Sequence, residues 1–357
     1  MAMKNNPGKR VIVALSGGID STVATILLKE KGYTVGGITF FSNQLGNRDN
    51  LRIAEKIAQD LQIPWQPLDL TQEFQEIVVE YFCQAYLSGR TPNPCVICNW
   101  KIKFGLLLEK IKSWGADYLA TGHYVNKEYL AKNKEFILKK GLDKNKDQSY
   151  FLYRLNQSVL SKVLFPLGKL TKDQVRLIAK RFNLINQYRK ESQEICFISD
   201  DNYKEFLVQY IKKKIKRGKF IDREGKLLGE HQGLPFYTIG QRRGLGISAN
   251  NRKYVLKIDD QRNEIVLGEE KYLYQNKMLV SELNFISGVV PTQPLKVEVK
   301  IRYNGQGSPA MIYPSNQDGK KRILVVFDQP QRAITPGQSA VFYQKDIVLG
   351  GGVIEKG

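Results

Sequence analysis

The sequence predicts an α/β protein: an open parallel sheet first, a small α+β unit next, and a closed β-barrel at the end. Three observations carry this. Val11 to Leu15 is an unbroken apolar run, as expected for a strand covered on both faces. Apolar runs then alternate with helix-periodic stretches as far as Thr121, which implies right-handed crossovers within one sheet. Beyond Tyr254 the segments become short and β-like, with Pro, Gly, Asn and Asp between them. The expected divisions are residues 1–200, 201–275 and 276–357.

The opening unit comes first. Ser16-Gly17-Gly18-Ile19-Asp20-Ser21-Thr22 follows the first strand directly, and Val23 to Leu28 reads as helix. Gly17 and Gly18 can take backbone angles closed to other residues and let another group approach the main chain. Ser21 or Thr22 is expected to cap the helix. The free N–H groups of its first turn, with the positive end of its dipole, make a seat for phosphate. The Lys-Ser/Thr ending of a Walker loop is absent, as is the Gly-x-Gly-x-x-Gly of a dinucleotide fold. A plain strand-to-helix turn is the alternative. The stretch resembles the signature of the PP-loop ATP pyrophosphatases, which cleave ATP between its alpha and beta phosphates. That resemblance implies a Rossmann-like catalytic domain. Its loop would grip pyrophosphate, and Asp20 would help to hold Mg²⁺, a hard cation that prefers oxygen ligands.

Tyr33 to Phe41 reads as the second strand, Ile63 to Leu70 as the third and Asp117 to Thr121 as the fourth. Helical stripes lie between them: Leu51, Ala54, Ile57, Ala58 and Leu61, then Phe74, Ile77, Val78, Tyr81, Phe82 and Ala85. Ligands of such sheets sit beyond the carboxyl ends of the strands. The loop after Leu15 and the stretch Ala120 to Tyr124 are two such ends. Cys83, inside the second stripe, reads as a packing thiol.

Gly89-Arg90-Thr91-Pro92-Asn93-Pro94-Cys95-Val96-Ile97-Cys98-Asn99 is a loop partly fixed by its prolines, leading into a helix. Near that helix start, with Lys101 and Lys103 close by, the Cys98 thiolate is expected to be favoured. A zinc knuckle would need a second cysteine pair or a correctly spaced histidine, and neither His123 nor His231 supplies one. Tyr124 to Lys140 alternates like a hairpin, Thr171 to Phe182 reads as a capped helix, and Ile195 to Ile198 as a short strand containing Cys196. The run from Lys212 to Lys219 is either a solvated face or a phosphate-backbone contact.

With 55 Lys and Arg against 35 Asp and Glu, the net charge is +20. Such a balance favours a polyanionic partner, nucleic acid above all, although a merely basic surface has the same composition. Four cysteines are too few and too unevenly spaced for a disulfide scaffold. No stretch approaches the ~20 apolar residues of a membrane span. The first ten residues lack an apolar h-region, and a strand starting at Val11 leaves no room for a transit peptide. The expectation is a soluble, cytoplasmic protein that contacts no membrane.

Taken together, Ala14–Ser21, Thr91–Phe104, Ala120–Tyr124, Lys146–Tyr150, Ile195–Ile198, His231–Ile247 and Arg302–Tyr303 resemble the tRNA-specific 2-thiouridylases, in the family's order and over nearly the whole chain. The resemblance implies ATP-dependent thiolation of position 2 of the wobble uridine (position 34) of tRNA. ATP adenylates the carbonyl oxygen and sulfur replaces it. A partner protein delivers sulfur as a persulfide on the position matching Cys196. The position matching Cys98 acts as nucleophile and closes a disulfide with it. ATP would be bound by Ala14, Leu15, Ser16, Gly17, Gly18, Ile19, Asp20, Ser21, Phe40 and Gly122. The tRNA would be met by His123, by Lys146, Asp147 and Gln148, and by Arg302, Tyr303 and Gln338. The target base would have to be flipped out of its stack.

Some members of the family carry aspartate where this chain has Cys95. The trio Cys95, Cys98 and Cys196 could instead hold a [4Fe–4S] cluster through three thiolates. Two other readings stand beside this one: a different PP-loop AMP-forming enzyme, such as an amide-forming ligase, and a basic RNA-binding protein whose nucleotide loop only switches conformation.

Overall fold

The computed structural model describes residues 8–45, 48–182, 184, 195–198, 202–211, 214–247, 252–317 and 319–356. Lys212 and Lys213 of the basic run lie outside the described residues; Lys214, Lys216, Arg217 and Lys219 are solvent-facing, and Ile215 packs beneath Gly233.

The first five-stranded sheet is built from β1 (Arg10–Ala14), β2 (Thr34–Phe41), β3 (Trp65–Asp69), β4 (Tyr118–Ala120) and β7 (Val163–Leu164). A hairpin, β5 (Val125–Leu130) and β6 (Glu135–Lys140), intervenes in the chain before β7. The spatial order is β3-β2-β1-β4-β7, with every pair parallel. Both faces are covered. Val11, Val13 and Leu15 pack with Leu28, Ala54 and Ile57, while Ile12 and Ala14 face a second cluster with Phe104, Leu107 and Tyr150. That explains the unbroken apolar run of β1. β1 has β2 on one side and β4 on the other, so the chain's strand order reverses at β1. Open α/β sheets bind ligands at such a crevice.

The middle sheet contains β8 (Gly218–Ile221), β9 (Leu227–His231), β10 (Tyr254–Asp259) and β11 (Glu264–Gly268) in the order β10-β11-β8-β9. It packs around Phe220, Val255, Ile265 and Leu267. The last six strands are β12 (Tyr274–Phe285), β13 (Leu295–Lys300), β14 (Ser308–Gln317), β15 (Lys320–Arg332), β16 (Ser339–Gln344) and β17 (Ile347–Ile354). They run β12-β15-β14-β13-β16-β17, and β12 pairs again with β17, closing the barrel.

Four expectations need correction. Two barrel strands escape the sequence reading. β14 carries Pro309 and Pro314, which argue against a strand, and β12 shifts register between Gln275 and Lys277 and again between Ser281 and Asn284 as it changes partner. The hairpin β5–β6 exists, but it belongs to the barrel sheet through Ile347–Lys139 and Val348–Leu138. Ile195 to Ile198 is a turn, with the Ile198 N–H donating to Ile195 O at 2.9 Å. Successive residues of a strand face opposite ways, yet Phe197 and Ile198 enter one cluster with Phe74 and Phe82. Finally, neither Ser21 nor Thr22 caps the first helix, which runs Ile19–Glu30 with Gly18 before it and no side-chain cap. The predicted cap at Thr171 is present: Thr171 and Gln174 form a reciprocal capping box on the helix Lys172–Arg181.

Candidate active site

The loop after β1 braces itself. Leu15 still holds the sheet: its N–H donates to Ile38 O (2.8 Å) and its carbonyl accepts from Thr39 Oγ1 (2.7 Å). Gly17 then takes φ +75°, which explains a glycine there. Ser21 Oγ accepts from the Ser16 N–H (3.2 Å) and donates to Gly18 O (3.0 Å), and Thr22 Oγ1 donates to the same carbonyl (3.0 Å). Both hydroxyls sit inside the first turn and fasten the loop from there. Phe40 is half-buried near the end of β2.

The loop after β4 lies against this turn. A Cβ on Gly122 would come within 2.8 Å of the Asp20 carbonyl carbon and of the Ser21 nitrogen, so this crossing requires glycine. Asp20 Oδ1 accepts from the Tyr124 hydroxyl (2.6 Å) and from Lys172 Nζ (2.7 Å); Oδ2 accepts from Lys172 as well (2.9 Å). Lys172 is buried, at the first position of its helix. Sequence reading missed it, because it stands 152 residues from Asp20 with only a helix start to mark it. Asp20 offers one carboxylate, which suits Mg²⁺ when phosphate oxygens and water supply the remaining ligands.

The cysteine helix begins with Asn93, whose Oδ1 accepts from the Val96 N–H (3.3 Å), and Pro94 follows in the first turn. Pro94–Ile97 is α-helical, Cys98–Leu106 is wound as π-helix and Leu107–Ser113 is α-helical again. Such windings are rare and gather at functional sites. Cys98 is buried in the cluster that also holds Phe197 and Ile198, so the Cys196 turn lies beside it. Cys95 is half-buried and Cys196 exposed; none of the four cysteines is in a disulfide.

The expected thiolate at Cys98 is not favoured. Burial raises its thiol to about 12, against the lowering pull of Lys103, and raises Cys95 to about 11. Cys98 is already past the first turn, where free N–H groups would have helped a thiolate. Cys196 is solvent-accessible, yet crowding by surrounding protein still raises its thiol; Lys103 opposes this too. Lys103 is thus the cation common to three thiols that also feel one another's charge. Among the described residues no three His, Cys, Asp or Glu side chains are arranged to hold a metal ion. Asn99 donates to Cys95 O at 3.0 Å, but its Oδ1 is buried without a hydrogen-bond partner. Cys83 is buried, and burial takes its thiol to about 11, as a packing thiol should behave.

The remaining predicted residues surround this centre. His123 is buried beside Phe104 of the cysteine helix; its Nδ1 lies 2.6 Å from Thr121 Oγ1, and burial holds its pKa well below the usual value. Asp147 is buried and accepts from the Gly141 and Ser149 N–H groups (2.9 and 3.1 Å). Gln148 Oε1 accepts from the Tyr124 N–H at 3.0 Å. Lys146 is half-buried on the same turn. In the barrel, Arg302 donates to Arg332 O (2.8 Å) and Ala333 O (2.6 Å). The Tyr303 ring lies 4.3 Å from Phe151; burial raises its hydroxyl, with Asp147 and Cys95 adding to the rise. Gln338 Nε2 donates to the carbonyls of Thr91 (3.0 Å) and Pro92 (3.1 Å). Barrel, nucleotide-type loop and cysteine helix therefore meet in one region. No helix of the described residues is long and apolar enough to cross a membrane.

Comparison with known proteins agrees. Residues 9–200 match the family described as tRNA methyl transferase HUP domain, residues 204–269 its PRC-barrel domain and residues 275–354 an aminomethyltransferase beta-barrel domain. The tRNA-specific 2-thiouridylase MnmA 1 of Caldanaerobacter subterraneus subsp. tengcongensis is 48% identical over 359 residues, covering 97% of this chain and 98% of the relative. The tRNA-specific 2-thiouridylases MnmA of Syntrophomonas wolfei and Clostridium acetobutylicum are 48% and 43% identical, each covering 97% of this chain and 99% of its own length. On that full-length similarity, the chain belongs to the tRNA-specific 2-thiouridylase family.

Proposed function

We propose that this protein is a tRNA-uridine 2-sulfurtransferase that uses ATP to replace the C2 oxygen of the wobble uridine, position 34, with sulfur. The observation that carries it is the full-length similarity to tRNA-specific 2-thiouridylases, together with Cys98 lying in one cluster with the residues that flank Cys196. ATP supplies the adenylate that turns a poor leaving oxygen into part of departing AMP. Ala14 to Ser21, with Phe40 and Gly122 around them, seat the nucleotide; Asp20 would carry Mg²⁺ beside the phosphates.

Cys196, open to solvent, suits delivery of a persulfide by a donor protein. Its outer sulfur attacks the activated carbon and AMP leaves. Cys98, as thiolate, then attacks the Cys196 sulfur. The new Cys98–Cys196 bond releases the electron pair to the sulfur now on the base, and reductant thiols later regenerate both cysteines. Burial disfavours the Cys98 thiolate, so this step needs the thiol to lose its proton as it attacks. The Asn99 Oδ1 beside it is an acceptor that a base N–H would satisfy. Lys146, Asp147, Gln148, His123, Arg302 and Tyr303 would line the approach for a flipped base and its anticodon loop, and the +20 net charge favours that polyanion. Work on tRNA in a reducing compartment fits the cytoplasm.

The test is incubation with tRNA, ATP, Mg²⁺ and a persulfide source, followed by mass spectrometry of the nucleosides and assay of AMP. 2-Thiouridine and AMP are expected together, and Cys98→Ser should abolish the thionucleoside. A fully active Cys98→Ser variant would move the assignment to another PP-loop AMP-forming enzyme. The second reading, a [4Fe–4S] cluster on Cys95, Cys98 and Cys196, would require these thiols to rearrange, since among the described residues no three such side chains are arranged to hold a metal ion. A colourless, iron-free preparation with full activity would end it.

A further inference from the structure

The loop that leads to Cys98 is fastened locally at its ends, where the Arg90 N–H donates to Ala85 O and the Val96 N–H to Asn93 Oδ1, but its Thr91–Pro92 middle is held from the barrel. Gln338, which starts from the barrel, spends both donors of its side-chain amide on the carbonyls of Thr91 (3.0 Å) and Pro92 (3.1 Å). The Thr91 N–H in turn donates to Pro336 O at 2.9 Å. Between these two contacts stands Gly337, at φ +91°, where a Cβ would lie 2.9 Å from Arg90 Cβ and from the Thr91 oxygen. The barrel segment is itself fixed, since the Gly337 N–H donates to Ile354 O and the Ile354 N–H to Gln338 O, both at 2.9 Å. A second route runs through Tyr150, which is fully buried. Its hydroxyl donates to Ser339 O (2.9 Å) and lies close to the side chain of Asn93, the residue that caps the cysteine helix.

We propose that Gln338 is a positioning residue of the thiolation reaction: from the barrel it holds the Thr91–Pro92 backbone and so keeps the start of the Cys98 helix in place. The resemblance assigns this position to tRNA contact; its two hydrogen bonds here go to protein. The thiolation part rests on the function proposed above, whereas the effect on the loop does not.

The two contacts are ordinary neutral hydrogen bonds. Losing them corresponds to about a tenfold shift in the opening of the loop. The experiment measures iodoacetamide labelling of each cysteine in the full-length protein without tRNA, read by peptide mass spectrometry. Cys83 is the internal control, because it is buried in the same cluster but on the helix that precedes the loop rather than the one that follows it. For Gln338→Ala we expect Cys98 labelling to rise about tenfold while Cys83 labelling and the melting temperature stay as they were. Gln338→Glu should act more strongly, since a carboxylate facing two carbonyls repels them. In turnover, kcat should fall with the KM for tRNA little changed. Unchanged Cys98 labelling with a raised KM would make Gln338 an RNA contact only and overturn the proposal. Equal rises at Cys98 and Cys83 would mean general loosening and overturn it too. An expected labelling result in a protein without thiolation activity would leave the clamp standing and count against the proposed function alone.

Discussion

The loop at 15–22 and the loop at 89–98 carry different parts of the same site, and they are held in opposite ways. The first is bound by partners a few residues away: Ser16 to Ser21, Ser21 to Gly18, Thr22 to Gly18. The second depends on residues far along the chain. Thr91 meets Thr238 across 147 residues, and Gln338 reaches it across 247. A phosphate seat needs only rigid backbone donors, which a few residues can build. A thiol that, in the proposed function, meets a second thiol and an RNA base has to be registered against the rest of the molecule. The comparison teaches that the nucleotide-type loop is a local device and the cysteine loop a tertiary one.

The first loop has long-range contacts too, and two of them offer the sharpest ways to break the contrast. Lys172→Ala removes the buried cation that meets both oxygens of Asp20. Breaking such a pair strands the partner charge, and with Asp20 itself a third exposed (32%) we expect a loss of about 3 kcal/mol in urea unfolding. A loss below about 1 kcal/mol would show that solvent screens the pair and that the loop is more self-sufficient than the contacts suggest. Gly122→Ala comes next. Its Cβ would meet backbone rather than a movable side chain, so overpacking should cost about 2 kcal/mol and weaken ATP binding measured by calorimetry. ATP affinity equal to that of the parent would remove the loop after β4 from the nucleotide seat.

The smallest effect is one of pH. Burial holds His123 well below its usual 6.5 and lowers His231 as well. Above pH 6.5 both are neutral whether the chain is folded or not, so they give no slope. Below it the unfolded chain takes up protons that the folded one refuses, and stability falls as pH drops. The urea midpoint should decline from pH 6.5 toward 5, less so in His123→Gln. Identical slopes in the two proteins would place His123 in contact with solvent and loosen its packing on the cysteine helix.

Reading from the sequence worked where the cause is local. β1 announces itself by its apolar run because both its faces are covered. The Thr171 cap is legible because a capping box is four residues long. The reading failed where distant contacts decide. Ile195 to Ile198 has the composition of a strand, but Phe197 is drawn into rings from elsewhere, 5.6 Å from Phe74 and 5.4 Å from Phe82. Cys98 has lysines close in sequence, yet desolvation outweighs them. Lys172 carries no motif at all, and Gln338, which the resemblance marks for tRNA, spends its amide donors on protein carbonyls across the fold.

By itself the sequence determined the α/β-then-β order of the chain, the Gly-Gly turn after β1 and the thiols available for chemistry. These depend on periodicity, glycine and residue type, which act within a few positions. Only the tertiary structure decided that Asp20 is paired, that burial disfavours the Cys98 thiolate and that the barrel holds the cysteine loop. Burial and hydrogen-bond partners are set by atoms more than a hundred residues away, and no local pattern records them.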